Sequence, residues 1–382
     1  MRLANLRNFK YEDIKNIPPK SLIKNKLDIK NILTFFNFLI KGKKLQAVDR
    51  KILFFKYVLS KHENDESHSL SSISEKKSIN NIKYVGSGAY GRVFRVSMDG
   101  RDLILKLSNN ELPNKLLERY ISLKTSYISR YIIDYMYTGN IPDCDRYKYY
   151  SIMKYGGKTL RSYVRNNELS IDILRKILFQ FYEISKFITN SKQLLTDFKL
   201  GNLTIDNNNN IKIIDIYMYC AKYPNYKCRI VKTYPVIELE LESHIYQNDN
   251  YPNTYILIPM TICILDTLCY QSCSNVMDEI AKEYDLKHGN KDAFLILQLA
   301  TCLRTNGLKN IKDCHKIVEF KNKMEKNYGK DIFHKVYSYF IEQINIKYDF
   351  IKKDDLIAII NNFMNADYTK RDYRLIKKLF IL

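Results

Sequence analysis

The chain has 382 residues, 46% of them hydrophobic, enough to bury a two-part domain of ordinary size plus an extension and to exclude general disorder. Its 62 basic and 41 acidic side chains give a formal charge of +21, which favours polyanions or anionic membrane surfaces by long-range attraction. The 31 tyrosines, the absence of tryptophan and the abundance of isoleucine, lysine and asparagine mark a coding bias that raises lysine without any function, and this is the stronger reading of the charge.

Residues 1–60 read as a helical basic extension, with apolar stretches at Ile32 to Ile40 and Lys51 to Leu59, and Pro18-Pro19 ending whatever precedes them. Residues 1–80 carry 17 basic and eight acidic side chains, a net of +9, which makes this segment the candidate contact for a polyanion or an anionic membrane surface. Met1 to Lys10 has no apolar core segment of the kind a secretory signal needs. Lys61 to Ser78 is rich in Ser, Glu, Asp and His and reads as a linker. Strands are expected over Ile82 to Leu107, a helix near Asn114 to Leu123, and two more strands near Ile132 to Tyr137 and Tyr149 to Met153.

Ile171, Leu174, Ile177, Leu178, Phe181, Ile184 and Ile188 fall on one broad stripe and predict an amphipathic helix that runs toward Asp197. After it, Leu203 to Ile205 and Ile211 to Ile214 read as short strands around the polar turn Asp206 to Asn210. Beyond residue 250 the pattern is helical. The apolar run Tyr255 to Leu265 spans 11 residues, too few to cross a bilayer, and reads as a buried helix. Eight cysteines at irregular spacing form no disulfide framework. Cys269 and Cys273 share a helix face, but without a CxxC or a histidine pair they read as reduced core thiols rather than zinc ligands. The whole is consistent with a soluble, cytoplasmic protein.

Two stretches carry chemistry. In Val85-Gly86-Ser87-Gly88-Ala89-Tyr90-Gly91-Arg92-Val93, three of the chain's 12 glycines fall within six residues, and glycine lets backbone N–H groups approach phosphate closely. Apolar residues bracket this loop and Met98-Asp99-Gly100 is a turn signal, so the loop joins two strands rather than opening a helix. Lys106 follows inside the apolar strand Leu103-Ile104-Leu105-Lys106-Leu107, where a charge is costly unless paired. The second stretch is Asp197-Phe198-Lys199-Leu200-Gly201-Asn202, with Asp215 placed 18 residues beyond Asp197. The hairpin between them can return Asp215 to the neighbourhood of Asp197 and Asn202. Two carboxylates and an amide in a small volume suit Mg²⁺ and a triphosphate.

In order and spacing these pieces resemble the protein kinase family: Gly91 to Lys106 is 15 residues, Lys106 to Asp197 is 91, and Asp197 to Asn202 is five. The resemblance covers about Asn80 to Gln271, with Ser151 to Gly157 in the place of the hinge between lobes. The tyrosine- and lysine-rich composition is similar to that of divergent kinases of large cytoplasmic DNA viruses. The resemblance implies an α+β, two-lobed fold, with a small β-rich lobe over 79–153 and a larger helical lobe over 154–382. It implies ATP and Mg²⁺ as ligands, and protein substrates. Val85, Gly86, Gly88, Gly91, Val93, Lys106, Met153 and Tyr155 would line the nucleotide site, with Met153 guarding the pocket. Glu118 would pair with Lys106, at a shorter separation than the family usually shows, and a solvated helix-face charge is an equal reading for it. Asp197 would orient the attacking hydroxyl and accept its proton, Lys199 would neutralise the transferred group, and Asn202 and Asp215 would hold Mg²⁺. Lysine two residues after the catalytic aspartate resembles the serine/threonine branch.

Departures from the pattern concern regulation. Leu195-Thr196 stands where His-Arg is usual, Ile216-Tyr217 follows Asp215 in place of Phe-Gly, and Glu238 is the nearest counterpart of the Ala-Pro-Glu anchor. They motivate a rival reading as a catalytically weak pseudokinase that acts as a scaffold. A small-molecule phosphotransferase is disfavoured by the missing H-x-D histidine. A nucleic-acid-associated protein working through residues 1–80 is a third alternative, marked by salt-dependent binding of that segment.

Overall fold

The computed structural model describes residues 79–88, 91–98, 101–108, 127–140, 149–190, 193–195, 197–215, 218–220, 253–304, 315–365 and 370–381. Expectations for the N-terminal extension, the linker, the helix near Asn114, Glu118, Thr196, Ile216-Tyr217 and Glu238 lie outside these residues. The chain is α+β and divides into two compact units. The first ends at Tyr155 and the second takes Gly156 to Leu382 together with the short insertion Tyr127–Ile132. The sequence placed a boundary after Met153, two residues earlier.

The described part of the first unit is one antiparallel sheet of β1 (Ile79–Gly88), β2 (Gly91–Met98), β3 (Arg101–Ser108), β4 (Tyr135–Asn140) and β5 (Tyr149–Lys154), in the order β1-β2-β3-β5-β4. Alternation sorts its residues onto two faces. Phe94, Val96, Leu103, Leu105, Tyr150 and Ile152 share the buried apolar face. Gly88 pairs with Gly91, so the glycine stretch is the tip of the β1–β2 hairpin. A Cβ on Gly91 would lie 1.7 Å from the Leu107 carbonyl oxygen, so only glycine lets β2 start this close to β3. Met98 pairs with Arg101 across the two positions that separate β2 from β3. The strand expected from Ile132 begins at Tyr135, because Ile132 instead bridges Ile213 and belongs to the second unit.

The second unit opens with β6 (Lys158–Thr159), α1 (Leu160–Asn166) and α2 (Ile171–Asn190). The strand β7 (Gln193–Leu195) pairs with β10 (Met218–Cys220). Between them, β8 (Leu203–Ile205) and β9 (Ile211–Ile213) form the expected hairpin, and β6 pairs with β8. Ile214 lies just beyond β9. Helices α3 (Leu257–Leu268), α4 (Cys273–Glu283), α5 (Asn290–Arg304), α6 (His315–Tyr328), α7 (Ile332–Glu342) and α8 (Lys353–Phe363) follow.

Every residue of α3 except Asp266 is buried, as a helix apolar on all sides must be when neighbours surround it. Asp266 accepts the Cys273 backbone N–H at 2.8 Å and so caps the start of α4, while Ser272 caps Asn275. The stripe on α2 is buried from Leu174 to Ile188, while Ile171 at its start is 48% exposed, and the buried side also holds Gln180, a polar residue with a structural task. Gln180 donates to the Asn209 carbonyl at 2.9 Å and accepts from Ile211 N–H at 2.7 Å. With Asp206 accepting from the Asn208 and Asn210 N–H groups, and Asn209 in the left-handed region at φ 58°, this fixes the turn between β8 and β9. No helix among the described residues is long and apolar enough to cross a membrane.

Candidate active site

The loop from Asp197 to Asn202 is held from beneath by apolar anchors. Phe198 is 1% exposed and meets Phe181 of α2 edge to face, with ring centroids 6.3 Å apart. Leu200 is buried, and its backbone interacts with Cys263 of α3. Lys199 is extended, and Leu200–Asn202 then form a 3-10 turn that brings Asn202 back to Asp197. Asp197 is 4% exposed, and Lys199 Nζ reaches its two carboxylate oxygens at 2.9 and 3.2 Å. Asn202 Nδ2 donates to the Asp197 main-chain oxygen at 2.9 Å and to Oδ2 at 2.7 Å. The loop therefore closes on itself around one carboxylate.

Asp215 joins this group through the backbone. Ile214 N–H donates to the Asn202 carbonyl at 3.0 Å, which ties the end of the β8–β9 hairpin to the loop one residue before Asp215. The two carboxylates are close enough that Asp215 disfavours the charge on Asp197. Burial is the larger influence, and it raises the Asp197 carboxyl above the ordinary range. The Lys199 ammonium and the Asn202 amide partly offset it.

Asn202 spends its amide nitrogen on Asp197, so its Oδ1 is the atom it can offer a cation. Asn202 Oδ1 and the Asp215 carboxylate are hard oxygen donors of the kind Mg²⁺ takes. Among the described residues no group of three or more His, Cys, Asp or Glu side chains is gathered for a metal ion, so water or ligand oxygens would have to complete such a shell.

The first unit carries the other expected residues. By register, Val93, Lys106 and Ser151 form one row across β2, β3 and β5, and Arg95, Ile104 and Met153 form the next. Both rows lie on the face opposite the apolar core. Met153 is 3% exposed and also pairs with Tyr135. Lys106 is half-buried. Val85 is 53% exposed beside the β1 bulge between Tyr84 and Gly86, and a Cβ on Gly86 would meet nothing within 4 Å. Tyr155 leaves β5 with its N–H on the Asp102 carbonyl at 3.0 Å, and the Arg95 guanidinium sits 4.0 Å above its ring.

Asp197, Lys199, Asn202 and Asp215 are thus gathered in the second unit, while Val93, Lys106 and Met153 share one sheet face of the first. Sequence reasoning missed Ile104, the Arg95–Asp102 pair and Gln180. The first two follow from the β2–β3 register, which puts Arg95 opposite Ile104 and Ser97 opposite Asp102, and the Met98-Asp99-Gly100 turn signal was the cue to that register. No family model matches the chain, and a search of curated proteins finds no match either.

Proposed function

We propose that the chain is a kinase-like phosphotransferase of the serine/threonine branch, its two units corresponding to the small and large lobes of that fold. The observation that carries this reading is the closed arrangement of Lys199 and Asn202 on the Asp197 carboxylate, with Asp215 tethered beside it through Ile214. Such an arrangement suits phosphoryl transfer, which needs positioning and charge neutralisation more than covalent chemistry by the protein.

ATP is the donor substrate. The Asp197 carboxylate orients a serine or threonine hydroxyl and accepts its proton as that oxygen bonds to the γ-phosphorus. The bond from that phosphorus to the β–γ bridging oxygen breaks, and ADP leaves. Lys199, held on the Asp197 carboxylate, would neutralise the developing charge on the transferred group. In the first unit, Gly86, Gly88 and Gly91 would lie over the phosphates, Lys106 would hold two of them with Glu118 as its partner, and Met153 and Tyr155 would border the base. Asn202 and Asp215 would hold Mg²⁺, which when bound supplies charge neutralisation at the phosphates.

The buried Asp197 with both oxygens engaged also suits a second reading, a nucleotide-binding scaffold without turnover. One experiment separates the two. Transfer from ATP that Asp197→Asn abolishes while nucleotide affinity is kept supports the enzyme. Nucleotide binding with no transfer by the wild-type chain supports the scaffold.

A further inference from the structure

We infer that Arg95 is a positioning residue for the nucleotide, locking the exit of β5 at Tyr155 onto the sheet face that carries Lys106, Ile104 and Met153. This rests on the reading of that face as the nucleotide seat, and names the device that sets its base end.

The Arg95 guanidinium donates to Asp102 Oδ2 at 2.5 Å and sits over the Tyr155 ring, 4.0 Å from its centroid. Asp102 is held in turn by Ser97 Oγ, which donates to Oδ1 at 2.7 Å. The Asp102 main chain accepts the Tyr155 N–H at 3.0 Å, and one residue earlier the Lys154 N–H bonds the Asp134 carbonyl at 3.0 Å. Asp102 of β3 and Asp134, one residue before β4, therefore hold the N–H groups of two consecutive residues where the chain leaves β5, with Arg95 of β2 over the Tyr155 ring.

The position of this cluster gives it a role beyond stability. The Arg95–Asp102 pair is over a third exposed on both sides, and ion pairs of that kind contribute little to folding. Yet Arg95 stands directly opposite Ile104, which stands directly opposite Met153. The neighbouring row, two residues along, holds Val93 and Lys106, about 7 Å away at ordinary strand rise. On the proposed seat, with the phosphates at Lys106, a base directed along the sheet to the Arg95 row would meet Ile104, Met153 and the backbone at Tyr155. A planar guanidinium can stack on the ring and bond Asp102 at once, which a lysine ammonium cannot reproduce.

The test is calorimetric titration of the full-length chain with Mg²⁺-ADP, for wild type, Arg95→Ala, Asp102→Ala, the double variant and Arg95→Lys, with melting temperatures measured alongside. Each single alanine variant should weaken binding about tenfold by releasing the exit of β5, and the double variant should be no worse than either. Arg95→Lys, which keeps the charge and folds most safely, should still lose several-fold. In transfer assays the KM for ATP should rise while turnover at saturation holds. Folded variants that bind ADP as wild type does would overturn the role of Arg95 and leave the nucleotide seat standing. A wild-type chain that binds no nucleotide would overturn the seat itself, and the positioning role with it.

Discussion

At the scale of single residues, Asp197 decides most. Its carboxyl is raised mainly by burial, with Lys199 and Asn202 holding it down, so two pH effects follow. A general base must be ionised, so the transfer rate should fall on the acid side at a higher pH than an ordinary carboxylate near 3.9 would give. Lys199→Ala removes the strongest stabiliser of the charge and should move that limb further up, as a pH–rate profile would record. Stability runs the opposite way. A carboxyl raised in the folded state favours folding below the unfolded value and loses that contribution as pH rises through the folded one. The stability of Asp197→Asn relative to wild type should therefore improve between acid and neutral pH, while its turnover drops roughly 10²–10⁴-fold. Denaturant titrations at both pH values check the first part. The glycines give a paired expectation. Gly91→Ala should destabilise the sheet, because its Cβ collides with Leu107, whereas Gly86→Ala has open space and should fold normally. A loss of nucleotide affinity confined to Gly86→Ala would then report close approach of phosphate.

At the scale of elements, the loop is only as well placed as the helices under it. Phe198→Ala should cost about 3–5 kcal/mol, since Phe198 is buried against Phe181 of α2. Gln180→Ala should cost about 1–3 kcal/mol by leaving the Ile211 N–H and the Asn209 carbonyl without their partner, and hydrogen exchange at residues 208–211 should quicken. The helix α2 and the β8–β9 hairpin were legible because periodicity and turn residues state them directly. The task of Gln180 was not, because a polar residue in an apolar stripe gives no hint of a partner about 30 positions away in the chain. Likewise the Ile132 bridge to Ile213 takes that residue out of the strand that local sequence favoured. Short-range pattern gave the elements, and long-range hydrogen bonds redrew their ends.

At the scale of the whole molecule, the gathering of Asp197, Lys199, Asn202 and Asp215 was legible as spacing, because a six-residue loop and a hairpin can close on themselves without help from elsewhere. The expectations at Ile216-Tyr217 and Glu238 lie outside the described residues. Cys263, Cys269, Cys273 and Cys302 are buried free thiols. Burial raises the Cys263 and Cys273 thiols and pushes Cys269 up to about 12, so these three should resist thiol reagents until the second unit unfolds. The central claim is tested most directly by labelled phosphate transfer from ATP with Mg²⁺ to an acidic protein substrate and to the chain itself, with Asp197→Asn and Asp215→Asn run in parallel. The expected result is phosphoserine or phosphothreonine that both substitutions abolish. Transfer that survives both substitutions, or none from a folded wild-type chain, would contradict it.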